Sequence, residues 1–116
     1  MKIEKRILNP ERLRRCPAQF SFIEHGLVRE GYLRRAEVEA WALYLVLVTV
    51  GDEHGLSYYS DGAVGRLLSL SEEAVAVARR QLMAAGVITY EKPLYQVLAL
   101  DGEERDGGRA MGGDRS

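Results

Sequence analysis

Ser57-Tyr58-Tyr59, then Ser60-Asp61-Gly62-Ala63-Val64-Gly65-Arg66-Leu67-Leu68, then Ser71-Glu72-Glu73-Ala74-Val75-Ala76-Val77-Ala78-Arg79-Arg80-Gln81-Leu82-Met83-Ala84-Ala85-Gly86, then Val87-Ile88-Thr89-Tyr90 running into Leu94-Tyr95-Gln96-Val97-Leu98-Ala99-Leu100, is the passage that decides the fold. It reads as a short strand, two capped helices meeting at a tight turn, and a hairpin. Ser60 and Ser71 are N-cap residues, and Glu72 and Glu73 stand at the positive end of the second helix dipole. Val75, Ala78 and Leu82 make the inner stripe of that helix. Leu67, Leu68 and Leu70 are expected to pack inward around the turn. Ala85-Gly86 ends the second helix, and Glu91-Lys92-Pro93 forms the hairpin tip.

Upstream, residues 35–50 carry the strongest periodicity. Val38, Trp41, Ala42, Leu45 and Val48 or Thr49 follow i, i+3, i+4, i+7 spacing and predict a buried face. The second half of the run is apolar nearly all round, which predicts a central helix. Gly51 supplies its stop, and Gly51-Asp52-Glu53-His54-Gly55 is a turn. Asn9-Pro10-Glu11 opens a short basic helix that continues through Arg12 and Arg15 and ends at Cys16-Pro17. Phe20-Ser21-Phe22-Ile23 is expected to dock on the core. Residues 27–33 predict one or two helical turns interrupted at Gly31.

The 116 residues allow one domain with a modest core, and 47% apolar content is that of a globular chain. The longest apolar run, residues 40–50, is 11 residues long, whereas a bilayer needs about 20. With no apolar leader at the start, a cytoplasmic location and no membrane partner are expected. Cys16 is the single cysteine, so neither an internal disulfide nor a cysteine-based metal site is expected. His25 and His54 have no partner at ligand spacing. No phosphate loop, nucleophile elbow or acid–base pair stands out, so neither an enzyme, a cofactor nor a metal is expected.

Charge divides the chain unevenly. Residues 1–20 carry six basic against two acidic side chains, net +4, while residues 21–100 carry seven against ten, net −3. Residues 101–116 add five glycines and eight charges without an aromatic, a composition that cannot bury enough apolar surface to order itself. Three regions follow: a basic arm with a short helix over 1–19, a folded domain over 20–100, and a disordered glycine-rich tail over 101–116.

The passage Arg79-Arg80-Gln81-Leu82-Met83-Ala84-Ala85-Gly86-Val87-Ile88-Thr89-Tyr90 resembles the "helix, then Leu-x-x-x-Gly-Leu/Val-Ile, then wing" segment of bacterial winged-helix DNA-binding domains. It is similar to those of plasmid replication initiators and of the GntR and MarR regulators, and the resemblance extends over residues 20–100. It implies an α+β, mainly α, winged helix-turn-helix fold with a small β-hairpin wing. It implies also a second helix whose outer face meets a DNA groove, in a transcriptional regulator or a replication or transposition accessory factor. Carried over by position, that face is Glu72, Glu73, Ala76, Arg79, Arg80 and Met83. The expected DNA-contacting set is Arg79, Arg80, Glu73, Ala76, Arg66 and Lys92, with Lys2, Lys5 and Arg6 of the arm. The resemblance departs at the helix start, where two glutamates replace the usual polar or basic readers. Binding to double-stranded DNA is expected from a homodimer, because one mildly acidic domain offers few phosphate contacts. Either the central helix or residues 20–32 would form the dimer surface. The alternative is a winged-helix protein–protein interaction module without DNA binding, which the acidic helix start and the net −3 body favour.

Overall fold

The computed structural model describes residues 3–100. Lys2 and the glycine-rich tail over 101–116 lie outside the described residues. The chain is α+β. Among the described residues, four α-helices, α1 (Gly26–Arg29), α2 (Val38–Val50), α3 (Asp61–Leu68) and α4 (Glu72–Ala85), accompany three strands, β1 (Leu56–Tyr58), β2 (Ile88–Glu91) and β3 (Leu94–Val97). Single 3-10 turns occupy Pro10–Arg12 and Tyr32–Arg35. No helix among the described residues is long and apolar enough to cross a membrane.

Local chemistry sets each boundary of the α3–α4 pair. The Ser60 hydroxyl accepts from the Ala63 amide and the Ser71 hydroxyl from the Ala74 amide, both at 3.1 Å. Each bond satisfies an amide that the first helical turn would leave unpaired. Between the helices, the Leu70 amide donates to the Gly65 carbonyl at 2.9 Å. A Cβ on Gly65 would stand 2.5 Å from the Leu70 carbonyl oxygen, so this turn excludes every larger residue. Gly86 ends α4 in the left-handed region, with φ 82°. Its amide and that of Val87 donate back to the last turn, closing a glycine C-cap.

The sheet is antiparallel, ordered β1-β3-β2. Ser57 pairs with Tyr95 and Tyr90 pairs with Tyr95, so Tyr95 holds the middle of the sheet. The β2–β3 hairpin turns at Lys92–Pro93, a cis peptide. This layout of helices and a small antiparallel sheet is compatible with a winged-helix arrangement. One core joins the layers: Leu43 and Leu47 of α2, Val64 of α3, Val75, Ala78 and Leu82 of α4, and Val87, Ile88 and Tyr95 around the sheet.

Several expectations are corrected. The inner face of α2 is Ala40, Leu43, Tyr44 and Leu47. Val38 and Leu45, expected inside, are 81% and 55% exposed. With Glu39 as its only charged residue, α2 can bury comparable apolar area in several rotations, and its packing on α4 and β3 selects the one that turns Leu43, Tyr44 and Leu47 inward. It is therefore not enclosed on all sides. Leu67 faces outward, with Val64 and Gly65 taking the inner side of α3. Phe20, Phe22 and Ile23 are exposed rather than docked. The expected basic helix is only the 3-10 turn over Pro10–Arg12, capped by Asn9, whose Oδ1 accepts from the Arg12 amide at 3.1 Å. Leu13 returns to extended backbone, and arginines in series offer no apolar face to hold a longer helix down. The helical turns over 27–33 do occur, broken at Gly31 as expected.

Candidate nucleic-acid interface

Helix α4 is amphipathic, and its register decides what it can offer. Val75, Ala78, Leu82 and Ala85 are buried. Glu72, Glu73, Val77, Arg80 and Met83 are exposed, and Ala76 is half-buried between the two sets. The outward surface therefore begins with two carboxylates, continues with apolar Val77, and carries one cation, Arg80.

Arg79 is withdrawn from that surface. Its side chain is 14% exposed and forms an ion pair with Asp61, Nη1 to Oδ1 at 2.6 Å and Nη2 to Oδ2 at 3.3 Å. Nη1 also donates to the Tyr95 hydroxyl at 3.0 Å. The guanidinium lies over the Tyr90 ring, 4.4 Å from its centroid, and the Tyr90 and Tyr95 rings are 4.6 Å apart. One side chain thus ties the start of α3 and both strands of the hairpin to α4. The hydrogen bond to Asp61 raises the Arg79 pKa, so the cation is fixed at every accessible pH. Burial pushes the Tyr95 hydroxyl up, against the pull of the same guanidinium, and keeps it neutral. Paired planar donors suit this arrangement in a way that a lysine would not.

The other expected contact residues are scattered around the pair. Arg66 is exposed on α3 and Lys92 on the hairpin tip. The Arg66 guanidinium and the Glu72 carboxylate both lie beside Gly62, at 3.6 and 3.2 Å from where a Cβ would stand. An acid therefore sits close to the α3 cation. Lys5 and Arg6 are exposed in the arm. Arg80, Arg66 and Lys92 are each exposed, on α4, α3 and the hairpin tip respectively. Arg79 is the residue that ties α3, α4 and the hairpin together from within.

Reasoning from sequence missed the Asp61–Arg79–Tyr90–Tyr95 cluster. Its signal was present: Arg79 is four residues after Val75 and three before Leu82, hence on the buried side of α4. Sequence also missed Arg35, whose Nη1 donates to the Ala85 carbonyl at 3.1 Å and caps the end of α4. Gln81 anchors the other side, accepting from the Glu37 amide at 2.8 Å. Elsewhere, the side chains of Asp52, Glu53 and His54 place donor atoms within 4.8 Å of one another on an exposed turn. Asp52 Oδ1 already accepts from the His54 and Leu56 amides at 2.8 and 2.9 Å. Those bonds, Leu56 first, hold its carboxyl below the usual range.

Compared with known proteins, the chain has no match: no family model fits it, and neither a curated protein nor a solved structure is similar to it.

Proposed function

We propose that this chain is a winged-helix protein that binds double-stranded DNA as a homodimer, in transcription regulation or as an accessory factor of replication or transposition. The observation that carries the reading is the β1-β3-β2 sheet order combined with a capped α3–α4 pair, whose second helix keeps a whole face uncovered. In this arrangement α4 enters a groove and the β2–β3 hairpin lies beside it. Arg80, Arg66 and Lys92 contact phosphate, and Lys5 and Arg6 extend the contact along the backbone. The uncovered apolar side of α2, with Val38 and Leu45, supports pairing of two copies. Pairing doubles the number of phosphate contacts that one small, mildly acidic domain can offer.

Fluorescence anisotropy with a random duplex at low salt tests the reading. Binding at micromolar protein is expected, with an affinity that falls as salt rises. Arg80→Ala should lower the slope of log affinity against log salt by about 1. No binding by the folded protein at micromolar concentration rejects DNA recognition. Light scattering tests the pairing, and Leu45→Glu should give monomers.

One observation favours a second reading, a protein-interaction module. Arg79 is turned inward while Glu72 and Glu73 remain exposed, so the first turn of α4 is acidic. A basic protein surface would complement it. A stable partner retained after nuclease treatment selects this reading.

A further inference from the structure

An open-sided cavity of about 510 Å³ lies between residues 20–24, the last turns of α2, the 51–55 turn and the chain just beyond β3. Its size is within the range of small-molecule sites, about 300–1,000 Å³. Aliphatic residues of α2 and the 97–99 segment and the exposed His54 also line it, and two further kinds of group give it its character. Phe20, Phe22 and Tyr44 supply aromatic walls, and Glu24, Asp52 and Glu53 supply carboxylates. No lysine or arginine lines it among the described residues.

We propose that this cavity binds a hydrophobic organic cation, a ring-bearing ammonium or phosphonium compound. Three features converge on that class. Phe20 and Phe22 are 67% and 75% exposed, an apolar area that a ligand would take from water. Aromatic faces attract cations through the ring quadrupole. Carboxylates around a concave low-dielectric wall focus a negative field, which repels an anion of the same shape. The Tyr44 hydroxyl, pushed up to about 12 by burial and then by Glu24, stays protonated and neutral beside these carboxylates. The loop that carries two of the carboxylates is braced: Asp52 holds the turn, and the Val97 amide of β3 donates to the Gly55 carbonyl at 2.9 Å. None of these residues belongs to the outward face of α4, so the site stands or falls independently of DNA recognition.

Tetraphenylphosphonium and tetraphenylborate share a shape and differ in the sign of their charge. Titrated calorimetrically into the full chain, the phosphonium is expected to bind at least about tenfold more tightly than the borate, a difference of about 1.4 kcal/mol. Glu53→Gln and Phe22→Ala alter exposed side chains, so the fold is retained, as circular dichroism would verify. Each should weaken phosphonium binding severalfold. Equal binding of the two ions, no binding of either, or phosphonium binding unmoved by both substitutions overturns the proposal.

Discussion

Helices α2 and α4 are the two longest elements and pack against each other, yet they divide their residues between core and water in opposite ways. Helix α4 buries small and branched side chains along one stripe and even draws the Arg79 cation inward. Helix α2 buries Ala40, Leu43, Tyr44 and Leu47 and leaves Val38 and Leu45 in water. The difference lies in how many polar residues mark the outside. In α4, Glu72, Glu73 and Arg80 leave only one orientation in which the charges stay solvated. In α2, Glu39 is the only charged residue, so several rotations bury comparable apolar area. Contacts with α4 and β3 then choose among them. A helix that shows water a chemically inward-looking face has a surface to offer another molecule, and one that hides a cation has committed that cation to structure.

Core substitutions break this comparison most directly. Leu47→Ala should cost about 2–5 kcal/mol, because Leu47 is fully buried and its removal leaves a cavity. Leu45→Ala, two residues away, should cost no more than about 0.5 kcal/mol in the isolated chain. Urea unfolding followed by circular dichroism measures both, and comparable losses would show that α2 is turned otherwise. Arg79→Ala comes next, at about 1–3 kcal/mol, since it strands the Asp61 carboxylate and removes the packing on Tyr90. Arg79→Lys should recover only part of this, lacking the paired donors. A neutral Arg79→Ala would mean that α3, α4 and the hairpin are held by apolar contacts alone.

A third effect concerns pH. Burial pushes the Tyr44 hydroxyl up to about 12 and raises that of Tyr95 as well. The unfolded chain loses these protons at about pH 10. Above that pH the unfolded state binds fewer protons than the folded one, so stability should fall as pH rises from about 10 to about 12. It should be unaffected by these groups below pH 10. Tyr44→Phe should flatten the decline in unfolding midpoints measured across that window, and a decline of undiminished slope would assign it to other groups.

The same contrast explains what was legible in the sequence. Helix caps at Ser60 and Ser71, the stop at Gly86 and the stripe of Val75, Ala78 and Leu82 were legible because each is a local rule tied to one residue type. The hairpin was legible because two β-rich runs flank Lys92-Pro93. The rotation of α2 was not, because it is set by distant partners. The exposure of Phe20 and Phe22 was not, because apolar character states a preference for burial without stating that a partner exists in the same chain. Among the contact candidates, Arg80, Arg66 and Lys92 are exposed, while the inward turn of Arg79 follows from a spacing that the carry-over from winged-helix domains passed over.

The smallest effect discriminates most sharply between the readings of α4. Glu73 is exposed in the first turn, beside the helix dipole that favours it. Glu73→Gln should therefore lower stability slightly, by roughly 0.3–1 kcal/mol at low ionic strength. If that turn approaches phosphate, the same change removes a repulsion worth roughly 0.2–1 kcal/mol, the range for exposed charge pairs. Duplex affinity would then rise by about 1.4- to fivefold while the fold weakens, two responses of opposite sign from one charge. Anisotropy at low salt reads the first and urea unfolding the second. An unchanged affinity would place the start of α4 away from the duplex, and its two carboxylates would then face solvent or a basic protein partner.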